Sequence, residues 1–147
     1  MDNSDIQKFL TKLTQLDIDA SFAYEQALKQ IDDPDIFRNI KKFHDDHLRH
    51  IEDLSILICQ YGGTPPEKTK DFKGYLIEGF TAFLSVIGTK GALIAMESNE
   101  KLTNKKYREA LEQKDNLPHN VESLIAKNYG DEKTHLEYIT KTLQHLQ

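Results

Sequence analysis

Residues 43–51 read FHDDHLRHI and lie in the middle of a segment whose apolar residues recur every three or four positions. This spacing predicts an amphipathic helix, and His47 and His50 fall on its apolar stripe, where water is scarce. Buried polar groups are costly unless they have partners. We therefore expect other polar side chains to meet these two histidines inside the fold.

The same periodicity predicts helices at about residues 4–31, 34–61, 71–87, 91–114 and 117–145. Short breakers at 32–34 and 115–118 leave the helices on either side antiparallel. The long connection at 62–90 lets the next helix start at the opposite end of a bundle. The chain is thus predicted to be all-α, a single four-helix domain spanning 1–147. It has two antiparallel hairpins and a long crossover that carries the short helix 71–87.

Composition narrows the classes of function. A net charge of -5 without a basic cluster argues against a nucleic-acid partner held through phosphates. Cys59 is the single cysteine, which excludes an intramolecular disulfide and fits a reducing compartment. The acidic start of the sequence lacks the features of a signal peptide. The most apolar run, 80–96, is interrupted by glycine and lysine, so no membrane span is expected. We predict a cytoplasmic protein.

The two predicted hairpins resemble each other. YEQAL at 24–28 matches YREAL at 107–111, and in this register Asp17 corresponds to Glu100. These matches predict an internal duplication of one helical hairpin. The other corresponding positions are His47 with Glu132 and His50 with His135.

These polar positions also share one level of the bundle. At a rise of 1.5 Å per residue, all of them lie roughly 21–28 Å from their turns. Several buried charges without partners would be costly, and a metal ion would supply positive charge to the carboxylates and a partner to the imidazoles. Tyr24 and Tyr107 are predicted to donate hydrogen bonds to these carboxylates, or to be plain core aromatics. The candidate metal ligands are Asp17, His47, His50, Glu100, Glu132 and His135.

With these residues the chain resembles the ferritin-like di-iron carboxylate superfamily, over about residues 6–146. Those bundles place one Glu on each of two helices and Glu-x-x-His on each of the other two. More narrowly, the chain is similar to a bacterial family of ferritin-like bundles of unknown function. The features that carry this closer resemblance are Asp32-Asp33-Pro34, Gly62-Gly63-Thr64-Pro65 and the amphipathic crossover.

The resemblance carries over residue by residue. Glu100 matches a single-Glu position, and Glu132 with His135 matches Glu-x-x-His. Asp17 takes the other single-Glu position with a shorter side chain, and His50 matches the second histidine.

The chain departs from the pattern at His47, which stands where a bridging Glu is expected. Three carboxylates and three histidines leave two Fe(II) ions incompletely neutralised. Asp46 and Asp131 adjoin the pattern but point about 100° away around their helices. Three outcomes stay open: a dinuclear iron or manganese site, a single zinc, iron or manganese ion, and a metal-free hydrogen-bonded core.

Two functional hypotheses follow. The first is a metalloprotein that binds iron, or manganese or zinc, in the bundle core; the resemblance implies Fe(II) chemistry with O2 or peroxide if the site is redox-active. The second is a non-catalytic helical interaction or stress-associated protein with a degenerate, metal-free site. No motif identifies catalytic residues or decides whether the protein is an enzyme. The helix 71–87 is expected to pack along the bundle, form a homodimer contact or cover the site.

Overall fold

The computed structural model describes residues 1–68 and 88–146. Within these ranges the chain forms four long helices and one short 3-10 turn, and no strand occurs. The predicted all-α four-helix bundle is therefore confirmed. The predicted helix 71–87, and any dimer contact through it, lie outside the described residues. The elements are α1 (Asn3–Leu28), α2 (Pro34–Gln60), α3 (Gly88–Leu111), the 3-10 turn (Lys114–Asn116) and α4 (His119–His145).

Some helices begin or end at residues other than the predicted ones, because local hydrogen bonds determine where each helix starts and stops. Asp2 caps α1, because its side chain accepts a hydrogen bond from the backbone N–H of Asp5 at 2.8 Å. Helix α1 ends at Leu28, earlier than expected, because the chain tightens there into a turn. Helix α3 likewise ends at Leu111, because the chain turns there, with the backbone N–H of Gln113 donating to the carbonyl of Ala110 at 3.2 Å, before the 3-10 turn begins at Lys114.

Contacts at the helix ends establish the topology. Gln7 near the start of α1 donates a hydrogen bond to the carbonyl of Tyr61 at 2.5 Å, and the Tyr61 hydroxyl donates to Asn120 at 2.8 Å. At the other end of the bundle, Thr89 Oγ1 donates to Asp32 Oδ1 in the α1–α2 turn at 2.7 Å. Helix α2 therefore ends, and α3 begins, at opposite ends of the bundle. This is the predicted ferritin-like connectivity.

Two apolar clusters form the core. We call them the lower cluster, at the end where α1 begins, and the upper cluster, at the end where α3 begins. Burying one large apolar side chain of this kind contributes about 1.5–3 kcal/mol, so the two clusters hold the four helices together. The lower cluster contains Ile6, Leu10, Leu13, Leu16, Leu54, Leu57, Ile58, Tyr107, Ala110, Leu117, Val121 and Ile125. The upper cluster contains Ala23, Tyr24, Ala27, Ile31, Ile36, Ile40, Phe43, Ala92, Leu93, Ala95, Met96 and Ile139.

A polar layer separates the two clusters. On every helix the candidate ligands follow one cluster along the chain and precede the other, so they occupy the middle of the bundle. Among the helices that the structure describes, none is long and apolar enough to cross a membrane.

Candidate metal centre

The six residues predicted from the sequence meet in the polar layer. All four helices contribute: α1 and α3 supply one carboxylate each, α2 two histidines and α4 a carboxylate and a histidine. None of the six side chains has appreciable exposure to solvent. The set is Asp17, His47, His50, Glu100, Glu132 and His135, each 0% exposed.

Four of these residues form a first group: Asp17, His47, His50 and Glu132. Asp17 Oδ1 lies 2.7 Å from His47 Nδ1 and 3.1 Å from His50 Nδ1. Glu132 Oε1 lies 3.4 Å from His50 Nδ1 and 3.5 Å from His47 Nδ1. One ligand atom from each of the four residues lies within 4.8 Å of the others.

A second group adjoins the first and consists of His47, Glu100, Glu132 and His135. Glu100 Oε1 lies 3.2 Å from His47 Nε2 and 3.3 Å from His135 Nδ1. Glu132 Oε2 lies 3.5 Å from His135 Nδ1. Again the four ligand atoms lie within 4.8 Å of one another, so His47 and Glu132 belong to both groups.

The environment of the Glu132 carboxylate indicates that the polar layer suits a cation. Its Oε1 atom is buried and accepts no hydrogen bond from the residues that the structure describes. The Nδ1 atoms of His50 and His47 lie 3.4 and 3.5 Å from it without donating a hydrogen bond, so this oxygen is available to bind a metal ion directly. The donor set of carboxylate oxygens and imidazole nitrogens fits such an ion.

The two tyrosines named from the sequence donate hydrogen bonds to carboxylates of the site, each across the bundle to the other helix of the α1–α3 pair. The Tyr107 hydroxyl on α3 donates to Asp17 Oδ2 on α1 at 2.5 Å, and the Tyr24 hydroxyl on α1 donates to Glu100 Oε1 on α3. Burial first, and then the charge of the carboxylate that each one contacts, raise the pKa of both tyrosines well above its ordinary value. Both phenols therefore keep their protons and act as hydrogen-bond donors to the carboxylates.

Asp46 and Asp131 take part in the site, although they were expected to point away from it. Asp46 Oδ2 lies 2.8 Å from His135 Nε2, and Asp131 Oδ2 lies 2.8 Å from His50 Nε2. Arg49 joins the two carboxylates by donating to both of them. Each aspartate lies about 100° around its helix from the ligand that follows it. In that position its side chain reaches the histidine of the facing helix. A facing pair of Asp residues directly before the two ligand pairs is the signal that could have revealed them.

Thr103 and Asn104 on α3 hold the two glutamates in place. Thr103 Oγ1 lies 3.0 Å from Glu100 Oε2 and 3.2 Å from Glu132 Oε2. Asn104 Nδ2 donates to the carbonyl oxygens of Glu100 and Glu132, at 2.7 and 3.0 Å. These bonds tie α3 to α4 at the level of the site, so that both carboxylates have a fixed position.

The charges of the six residues compensate one another when no metal is bound. Burial alone would raise the pKa of Asp17, but His50 and His47 outweigh it and hold that pKa at about 2. Burial alone would lower the histidine pKa values, but the surrounding carboxylates raise them to about 9 for His47, 11 for His50 and 12 for His135. The metal-free site is therefore a set of buried imidazolium–carboxylate pairs.

The family described as "Domain of unknown function (DUF2383)" matches residues 5–113. The chain belongs to this family. The matched stretch covers α1 from residue 5 onward together with α2 and α3, whereas α4, which carries Glu132 and His135, follows it.

Solved structures share the fold of this DUF2383 protein. One, titled as ferritin like, diiron-carboxylate proteins from Bacillus anthracis str. Ames, is 20% identical, with 97% of this chain and 98% of that chain covered and a TM-score of 0.72. Another, a conserved hypothetical protein from Mycobacterium tuberculosis, is 9% identical, with 99% and 95% covered and a TM-score of 0.80. At these identities the likeness establishes a ferritin-like bundle. A search of curated protein sequences found no match.

Proposed function

We propose that this protein binds divalent transition-metal ions in the polar layer of its bundle, iron first, with manganese and zinc as alternatives. The observation that carries the proposal is the pair of adjoining four-residue groups, fully buried, with the Oε1 atom of Glu132 left without a hydrogen-bond partner. The ligands in this proposal are Asp17, His47, His50, Glu100, Glu132 and His135.

The surroundings of the site support this reading. Asp46 and Asp131 accept hydrogen bonds from the Nε2 atoms of His135 and His50, so the Nδ1 atoms, which face the carboxylates, are the nitrogens that can bind a metal once they release their protons. Histidines that bind metals commonly have such a partner on the other ring nitrogen, because it fixes the ring and makes the ligand more basic. Imidazole and carboxylate together suit iron, manganese and zinc, so the donor set leaves the metal open.

If the metal is iron, it would supply one-electron chemistry with O2 or peroxide. The chain's own part would be to position the ligands and to exclude water. The lower and upper clusters close the polar layer from both ends, and the hydroxyls of Tyr24 and Tyr107 hold protons against Glu100 and Asp17.

The alternative is a non-catalytic bundle whose polar layer stays metal-free and whose outer face binds a partner. One observation favours it: three carboxylates face three histidines whose pKa values are raised, so the layer can neutralise itself without an ion. The two proposals differ in one measurable respect, the presence of a metal.

Metal analysis of protein purified without chelator separates them. We expect iron, manganese or zinc in a fixed ratio to protein, and its loss in the double variant His50→Ala/His135→Ala. His44→Ala is the matched control, because His44 is a buried histidine of the same helix whose ring contacts Asp45 and Glu25. Circular dichroism verifies that each variant is folded. Metal-free wild type whose melting temperature does not change on adding Fe(II), Mn(II) or Zn(II) would favour the alternative.

A further inference from the structure

Two residues belong to both groups, and each offers a different atom to each group. Glu132 directs Oε1 toward His50 in the first group and Oε2 toward His135 in the second. His47 does the same with its ring nitrogens. Its Nδ1 atom lies 2.7 Å from Asp17 Oδ1 in the first group, and its Nε2 atom lies 3.2 Å from Glu100 Oε1 in the second.

The remaining donors are divided evenly between the groups. Asp17 and the Nδ1 atom of His50 belong to the first group alone, and Glu100 and the Nδ1 atom of His135 to the second alone. Each group therefore consists of two carboxylate oxygens and two imidazole nitrogens once the shared residues are counted in both. Four donors of this kind are enough for one transition-metal ion.

The chemistry of a bridge through both nitrogens decides what form the shared histidine takes. A ring nitrogen binds a metal through its lone pair, so an imidazole that binds one ion through each nitrogen has released both ring protons. Such a ring is an imidazolate anion, and its negative charge faces the two ions together with those of Asp17, Glu100 and Glu132.

We infer that His47 bridges two divalent metal ions as an imidazolate, with Nδ1 bound to the ion of the first group and Nε2 to the ion of the second. The inference rests on the proposed function. When the ions bind, the two N–H bonds of the metal-free His47 ring break, two nitrogen–metal bonds form, and both protons leave to solvent. No electron is transferred in this step.

The packing around His47 suits a fixed bridge. The ring is fully buried, and its centroid lies 5.1 Å from that of Tyr24, 5.3 Å from His135 and 5.6 Å from His50. Aromatic rings on several sides hold the imidazole in one orientation, so each nitrogen keeps facing its own group. The ring is therefore held in place before any ion arrives.

Cu(II) is a suitable probe, because it binds imidazole strongly and carries an unpaired electron. We expect wild-type protein to bind two Cu(II) ions per chain that are magnetically coupled, so that the electron paramagnetic resonance signal per ion is far weaker than that of isolated Cu(II). X-ray absorption should give a metal–metal distance longer than the about 3.5–4 Å of ordinary two-metal sites. His47→Glu, which restores a carboxylate at this position, should shorten that distance.

Several outcomes would overturn the bridge while the proposed function stood: one ion per chain, two ions without magnetic coupling, or a metal–metal distance in wild type equal to that of His47→Glu. Proton release gives an independent readout in weakly buffered solution. At pH 7, wild type should release about two more protons per chain on Cu(II) binding than His47→Glu does, one from each ring nitrogen, and a difference of one proton or none would contradict the imidazolate. Protein that binds no metal at all would overturn both the bridge and the proposed function, which keeps the two failures distinguishable.

Discussion

His50 and His135 each lie between the carboxylates of the polar layer and an aspartate at the edge of the bundle. His50 presents Nδ1 to Asp17 and Nε2 to Asp131, while His135 presents Nδ1 to Glu100 and Nε2 to Asp46. An imidazole whose Nε2 proton is donated to an aspartate has its Nδ1 lone pair free for a metal. The aspartates thus decide which nitrogen of each histidine can act as a ligand.

Removing one of these aspartates should weaken metal binding and leave the fold intact. We expect Asp131→Asn to lower the affinity for Zn(II) by about 10- to 100-fold, because His50 loses a charged partner and becomes a poorer ligand. A chelator-competition titration measures the change. Asp45→Asn is the control, since Asp45 is an exposed aspartate that contacts Lys41 and His44. Equal affinities for Asp131→Asn and Asp45→Asn would rule out this role for Asp131.

The hydroxyl of Tyr107 should contribute to stability more than an exposed tyrosine hydroxyl does. In Tyr107→Phe, Oδ2 of the buried Asp17 loses the hydrogen bond that this hydroxyl donates, and leaving a buried acceptor unpaired costs about 1–3 kcal/mol. Urea unfolding of metal-free protein measures the free energy of unfolding. Tyr61→Phe removes an exposed hydroxyl bonded to Asn120 and serves as the matched control, with a smaller effect expected. A similar loss in both variants would contradict the prediction.

Among the helices, α4 continues through Gly130, which lies in its interior. A Cβ atom added there would meet nothing within 4 Å, so alanine fits without strain. We expect Gly130→Ala to raise the free energy of unfolding by about 0.5–1 kcal/mol, because alanine restricts the unfolded chain and favours the helix.

Gly63, which follows α2, is the contrasting case. Thermal or urea unfolding measures the stability of both glycine variants. A Cβ atom there would lie 2.9 Å from Ile58 Cγ2 and 3.0 Å from Gln7 Cγ, both closer than packed atoms tolerate. Gly63→Ala should therefore destabilise the protein. If Gly130→Ala were destabilising as well, the helix at that point would be held by contacts other than those seen here.

The helices show what the sequence could and could not predict. Two quantities were enough to place Asp17, His47 and Glu132 at one level of the bundle: the position of each residue around its helix and its distance along the helix from the turn. Both follow from the geometry of a single helix. The parts played by Asp46 and Asp131 depend on which residue of a neighbouring helix faces them. That information lies in the packing angle and rotation of the helices, which the periodicity of one segment does not contain.

For the whole molecule, the charge of the polar layer should link stability to pH in opposite ways with and without metal. In metal-free protein the pKa values of His47 and His50 rise from 6.5 to about 9 and 11, so their stabilisation is complete below pH 6.5 and is lost as the pH rises through the folded values. In metal-bound protein the nitrogen that binds the metal carries no proton, so no histidine ligand is an imidazolium, and at acidic pH the unfolded chain binds more protons than the folded one. Stability then increases with pH up to about 6.5.

We therefore expect the free energy of unfolding in EDTA to fall between pH 7 and 9, and that of protein saturated with Zn(II) not to fall over the same range. The window lies above the pKa of Asp19, which burial raises to about 6, so this neighbouring carboxyl does not contribute to the slope. Urea unfolding at fixed ionic strength measures both curves. His50→Ala/His135→Ala is the control, because the loss of two buried histidines should flatten the slope in EDTA. Parallel curves with and without Zn(II) would mean that the metal does not bind at the histidines of the polar layer.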